Sequence, residues 1–259
     1  MSHEKVITLL QTLVNKHHLF LTESGDHAIR AVLQKLPQKN ILIQDQGGWL
    51  TYTDYAKKEG KIVVIMKTDD GIINLTDLEQ KADEHSAVLL NSLTGYCAEQ
   101  PMARIAAICA QKKCLLINDV SGSIGTDTAK IGDIILCSFG KDKPINLHYG
   151  GCIATNQQLQ FEGTFDATKL DSLANEIKQL PDKLQRWRMI TATIKKDLAT
   201  HDIIHRTKHG INVIVKFNNE QEKQALIAYC AQHTYDYTVC PRSIRVMTPA
   251  ISIEVKRLK

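Results

Sequence analysis

The chain has 259 residues, 43% hydrophobic and 23% charged, an ordinary globular composition with room for one large domain and a small one. Its formal charge of +4 comes from basic and acidic residues that are interleaved, so neither a nucleic-acid tract nor an acidic tail is expected. No apolar run of about eighteen residues occurs and the first residues lack the basic-then-apolar order of a secretion signal, which predicts a cytoplasmic protein without a membrane span.

Val6, Leu9, Leu10 and Leu13 fall at helical spacing and predict a leading amphipathic helix. Short apolar runs then alternate with helical patterns at 41–43, 62–66, 87–90, 114–117, 134–137 and 152–154. Each run has the length of a buried strand, and its unbroken apolarity is what a parallel sheet covered by helices on both faces requires. Between them, Thr76-Asp77-Leu78-Glu79 reads as a capping box, and Pro101 suits a first helical turn. One long helical segment is expected from 169 to 198, broken near Pro181. Its basic stretch, from Lys183 to Lys196, reads as a solvated helix face. The C-terminal residues read strand (211–217), helix (220–232), strand (244–247) and strand (251–255). The expected fold class is therefore α/β: a mostly parallel, mixed sheet sandwiched by helices over 1–165, a linker helix over 166–200 and a small α+β domain over 201–259.

Seven cysteines (Cys97, Cys109, Cys114, Cys137, Cys152, Cys230 and Cys240) are scattered, mostly in apolar stretches, and read as reduced core residues. No pair has the two-residue spacing of a zinc knuckle, so no metal is expected. His201, His205 and His209 repeat every four residues, and read as a solvated helix end before Gly210.

In open parallel sheets, ligands collect beyond the carboxyl ends of the strands. Three places there carry polar groups: Asn118-Asp119 after the run 114–117, the string Ser138-Phe139-Gly140-Lys141-Asp142-Lys143 after the run 134–137, and Glu23-Ser24-Gly25-Asp26 before a helix. An aspartate, a lysine and a glycine-containing helix start suit a cofactor with a ring nitrogen, an aldehyde and a phosphate.

The string from Ser138 through Lys143, Ile145, Asn146 and His148 to Gly150-Gly151 resembles, without a gap, the lysine segment of the DegT/DnrJ/EryC1/StrS aminotransferases, fold-type-I enzymes that use pyridoxal 5'-phosphate (PLP). Asp119-Val120-Ser121-Gly122-Ser123-Ile124-Gly125 is similar to that family's aspartate segment, and Gln179-Leu180 with Leu184 and Arg186 to its linker helix. The resemblance implies an aspartate-aminotransferase-like large domain at 1–165 and the following roles. Lys143 is the Schiff-base lysine and proton shuttle, and Asp119 the partner of the ring nitrogen, with Ser121 beside it. Trp49 stacks on the ring, and Ser138 with the backbone at Gly25 and Asp26 holds the phosphate. Arg245 clamps a donor carboxylate and His148 touches substrate. It also implies a homodimer whose partners are an amino-acid donor and a small-molecule acceptor, not nucleic acid or membrane.

Plainer readings stand beside these: Lys141 in place of Lys143, Asp119 as a turn cap, Trp49 as packing, Arg245 on a solvent-facing strand, and His148 as a loop residue. Departures from the family pattern are Asp26 where a small residue is usual, Gly122 in place of His or Gln, a short stretch between 154 and 169, and Phe165 in place of Asn. Three functions follow: an aminotransferase acting on a keto or aldehyde acceptor, sugar-linked acceptors included; a PLP lyase or desulfurase; or a cofactor-free scaffold.

Overall fold

The computed structural model describes residues 3–258. Seven strands form the main sheet: β1 (His18–Thr22), β2 (Asn40–Gln44), β3 (Ile62–Met66), β4 (Ser86–Asn91), β5 (Leu115–Asp119), β6 (Ile134–Ser138) and β7 (Gly151–Thr155). Their spatial order is β1-β7-β6-β5-β4-β2-β3. Strands β6, β5, β4, β2 and β3 pair in parallel, whereas β7 runs antiparallel to both β6 and β1. The sheet is mixed and mostly parallel, as expected.

Helices cover both faces: α1 (His3–Val14), α2 (Gly25–Lys35), α3 (Thr51–Lys58), α4 (Leu75–Lys81), α5 (Met102–Gln111) and α6 (Leu170–Asp197). Successive strand residues point to opposite faces. Ile41, Ile43, Ala87, Leu89, Ile117, Leu136 and Ile153 pack with Ile29, Val32, Leu33 and Tyr52 from α2 and α3. Leu42, Val88, Leu90 and Leu116 pack on the other face with Leu78 of α4 and Ile105 of α5. Ile135, Cys137, Cys152 and Ala154 continue that face against α1 and α6. Burial on both sides is why the strands read as continuous apolar runs, each Leu or Ile contributing about 1.5–3 kcal/mol.

After α6 the chain forms β8 (Val213–Lys216), α7 (Glu220–Gln232), β9 (Tyr237–Cys240) and β10 (Ala250–Ile253), with β10 central in an antiparallel three-stranded sheet. Leu226 and Cys230 of α7 join Val213, Val215, Ile251 and Ile253 in a core continuous with α1 and α6.

Several local expectations are corrected. Helix α6 runs unbroken through Pro181, because the buried stripe of Leu173, Ile177, Leu180, Leu184 and Trp187 continues on both sides of it. Residues 244–247 form a turn closed by Arg242 N–H to Val246 O (2.9 Å) and Arg245 N–H to Arg242 O (2.8 Å), and the strand beside β10 is β9. Alternating Ile244 and Val246 fit either conformation, and Pro241, which lacks an N–H, ends the strand before them. Helix α4 is capped by the Asn74 side chain on the Asp77 N–H (3.0 Å) and begins one residue before Thr76. His201, His205 and His209 lie past α6 in turns and irregular chain, with His205 Nε2 set against the Asp69 carbonyl oxygen at 3.0 Å. All seven cysteines are buried and free. Among the described residues no helix is long and apolar enough to cross a membrane.

Candidate active site

Three adjacent parallel strands end in polar residues: β4 in Asn91, β5 in Asp119 and β6 in Ser138. Beyond these ends, against the N-terminus of α2, lies a cavity of about 260 Å³. That is slightly below the roughly 300–1,000 Å³ of small-molecule sites and suits one ring-sized group. Lys143, Asp119, Trp49, Ser138, Gly25, Asp26 and Ser121 all line it, so seven residues singled out in the sequence face one space. Lys141, Ser24, Asn91 and Tyr96 complete its polar lining.

Asp119 is held on both oxygens. Its Oδ1 accepts the Ser121 N–H at 2.9 Å and its Oδ2 the Tyr52 hydroxyl at 2.5 Å. Tyr52 is fully buried, and burial together with the adjacent carboxylate pushes its phenol well above the ordinary value, so it stays a donor. Ser121 also accepts the Ser138 N–H on its hydroxyl (2.8 Å), tying the ends of β5 and β6 together.

Lys143 is 8% exposed, and its Nζ donates to the Tyr96 hydroxyl and lies 4.9 Å from the centre of the Trp49 ring. Burial alone would lower its ammonium pKa. The Tyr96 oxygen and Asp119 outweigh burial, Arg245 opposes them, and the amine ends above its usual value. The loop that carries it is fastened from two sides. Asn146 accepts the Asp142 N–H on its side chain, and Glu176 of α6 accepts the Asn146 N–H, both at 2.9 Å. Lys183 of α6 donates to the Pro144 carbonyl, and Lys256 to the Asp142 carbonyl.

At the far end, Ser24 caps α2 by accepting the His27 N–H. A side chain at Gly25 would bring its Cβ to 2.5 Å from Ser138 Cβ, so only glycine lets the helix start approach the end of β6. The helix N-terminus, the Ser138 hydroxyl and Lys141 then favour an anion. Asp26 turns toward α3, where its Oδ1 accepts from Trp49 Nε1 (2.8 Å) and the Thr51 hydroxyl (3.0 Å). The carboxylate that departs from the family pattern thus orients the Trp49 ring.

The DegT/DnrJ/EryC1/StrS aminotransferase family model matches residues 4–173. The chain belongs to this family. A second model, the MJ1341 family C-terminal domain, matches residues 181–259. No curated protein matches the chain. Among solved structures, 3-amino-5-hydroxybenzoic acid synthase superposes with a TM-score of 0.75 at 10% identity, covering 98% of this chain and 85% of that one. Helicobacter pylori PseC, an aminotransferase involved in the biosynthesis of pseudoaminic acid, gives 0.76 at 14%, covering 97% and 85%. Bacillus subtilis NtdA with bound cofactor PMP gives 0.72 at 14%, covering 97% and 72%. At these identities the likeness is one of fold.

The DegT/DnrJ/EryC1/StrS family is PLP-dependent. The residues present fit that group: an amine, a carboxylate held ready for a ring nitrogen, an aromatic face, and a glycine-spaced helix start with hydroxyls for a phosphate. Two of the predicted residues lie outside the cavity lining. The expectation that Arg245 clamps a donor carboxylate is corrected, because Glu254 fills its fork: Nε to Oε1 at 2.9 Å and Nη2 to Oε2 at 2.8 Å. His148 is exposed, with a left-handed φ of 60°, and does not reach the cavity. Tyr52 and Tyr96 were not singled out in the sequence. The strand-end rule, applied to the run 87–90, would have directed attention to Asn91 and the turn that carries Tyr96.

Proposed function

We propose that the chain transfers an amino group from an amino-acid donor to a keto or aldehyde acceptor, sugar-linked acceptors included, with Lys143 as the lysine that carries PLP. One observation supports this reading above the others: the Lys143 amine and the Asp119 carboxylate face the same cavity, with the Trp49 ring beside the amine. When bound, the cofactor supplies a ring that takes up the electron pair left as a proton departs from substrate. Asp119, oriented by Tyr52 and the Ser121 N–H, presents a fixed negative charge to a protonated ring nitrogen. Lys143 Nζ holds the mobile proton and acts as base and acid. Ser138 and the start of α2 bind a phosphate, and Trp49 lies over the cavity and keeps water from it. Arg245 is engaged by Glu254, and Lys141 in the lining offers its charge to the phosphate end or to a donor carboxylate.

On this reading 1–165 is the cofactor-binding domain, 166–200 the linker helix and 201–259 the small domain of a cytoplasmic homodimer. The test is titration with PLP. Wild type gains the visible absorbance of a lysine-bound chromophore, Lys143→Ala does not, and an amino acid then transfers nitrogen to a 2-oxo acid. Release of sulfide, ammonia or pyruvate instead would assign a lyase or desulfurase. A wild type that stays colourless would leave the scaffold reading.

A further inference from the structure

The amine of Lys143 is hydrogen-bonded to a residue on a rigid mount. Tyr96 follows the two-residue strand Leu93–Thr94 and holds a left-handed φ of 63°, a conformation that side-chain-bearing residues avoid. Its carbonyl oxygen accepts two N–H groups from the C-terminal part of the chain, Ile211 and Asn212, each at 2.9 Å. Its ring centre lies 4.7 Å from the Arg245 guanidinium and 4.5 Å from Lys256 Nζ, and Arg245 is itself locked to Glu254. On another side, a Cβ added at Gly122 would come 3.0 and 3.1 Å from two ring carbons, so the ring occupies the space that a side chain at 122 would need. Tyr96 is 2% exposed yet lines the cavity, and its hydroxyl accepts from Lys143 Nζ.

We propose that Tyr96 is a positioning residue of this site: its hydroxyl oxygen accepts from the Lys143 nitrogen, aims it into the cavity and holds its proton. The proposal rests on the aminotransferase reading for its purpose, because that reading needs an amine held in the cavity that can carry a proton and give it up. The other groups that act on the amine are Asp119 from β5, Cys137 from β6, and Arg245 and Lys256 from the C-terminal part. Of these, Arg245 and Lys256 repel a proton on Lys143 and burial disfavours it, so the Tyr96 acceptor and Asp119 are what keep it there.

The experiment is competitive acetylation of the full chain with trace acetic anhydride across pH, with the Lys143 peptide quantified by mass spectrometry and exposed lysines as internal standards. Tyr96→Phe keeps the ring and its stacking but removes the oxygen. The Lys143 midpoint should then fall by about one pH unit, a tenfold loss of proton affinity. Gly122→Ala, whose added carbon at 3.0 and 3.1 Å shifts the ring by a few tenths of an ångström, should move the midpoint the same way by less. A merely structural role would lower the melting temperature of either variant without moving the midpoint. Equal midpoints in wild type and both folded variants overturn the proposal. The PLP chromophore is read separately. Its absence from wild type counts against the aminotransferase reading, while the midpoints still decide whether Tyr96 governs the amine.

Discussion

Replacing Glu254 with Gln perturbs the most deeply buried ion pair of the C-terminal part. Glu254 is fully buried, accepts Arg245 through two bonds of 2.8 and 2.9 Å, and accepts Asn212 Nδ2 at 2.8 Å. Burial alone would raise its carboxyl pKa, but Arg245, Lys256 and Arg257 more than offset that and hold it down at about 2. The gap from the ordinary value of 4.5, at roughly 1.4 kcal/mol per pH unit, corresponds to about 3 kcal/mol. Leaving a buried guanidinium unpaired independently costs about 3–5 kcal/mol. For a chain of this size, about 3 kcal/mol lowers the melting temperature by roughly 6–12 °C. Because the folded value lies below the unfolded one, this stabilisation is complete above about pH 4.5. It fades as pH falls toward 2, so the gap between wild type and Glu254→Gln should close in acid. Calorimetry of both proteins between neutral pH and about pH 3 measures it. A difference under about 1 kcal/mol at neutral pH, or one that does not shrink in acid, refutes the reasoning. The double variant Arg245→Met/Glu254→Leu should recover much of the loss, since a buried pair exchanged for hydrocarbon is often neutral or better.

Burial brings the Lys256 amine down to about 7 in spite of the nearby Glu254, so the folded state resists protonating it. Wild type should therefore gain stability as pH rises from about 7 toward 10, and urea unfolding of Lys256→Met should lack that rise. Pro181→Ala restores a helix bond on the exposed side of α6, and should raise stability by about 1–3 kcal/mol in denaturant titrations. Gly25→Ala drives a methyl into Ser138, and should weaken PLP binding, read by absorbance titration, by about tenfold or more at an unchanged Lys143 midpoint.

The main sheet was legible because double-sided burial leaves an unmistakable mark: the runs around Leu42, Leu89, Leu116 and Leu136 admit few other readings. That Asp119 and Ser138 line the cavity was legible because they follow those runs within two residues, whereas Lys143, six positions past its run, came from the family resemblance. What escaped has physical causes. In strand β1, Leu19 and Leu21 pack toward α1 and Phe20 toward the opposite face, and only these three apolar residues stand between His18 and Thr22. Tyr96 sits in a turn whose backbone is held by residues more than a hundred positions away, and no local pattern encodes that contact. Arg245 looked free because its partner Glu254 lies across a turn and a strand, and the sequence between them does not say which way the guanidinium faces. Helix α6 outlasted Pro181 because packing on Leu180 and Leu184 outweighs a local propensity.

The loop around Lys143 is latched by distant parts of the chain: α6 holds Asn146 and Pro144, and Lys256, 114 positions downstream, holds Asp142. Closing so long a contour costs conformational entropy, which these bonds must offset. Residues far along the chain therefore bear on how the Lys143 loop is set, and the turn at Val255–Arg257 is one of its fastenings. Because Val255 is fully buried and Glu254 beside it holds Arg245, truncations there should loosen the Lys143 loop and destabilise the C-terminal part together.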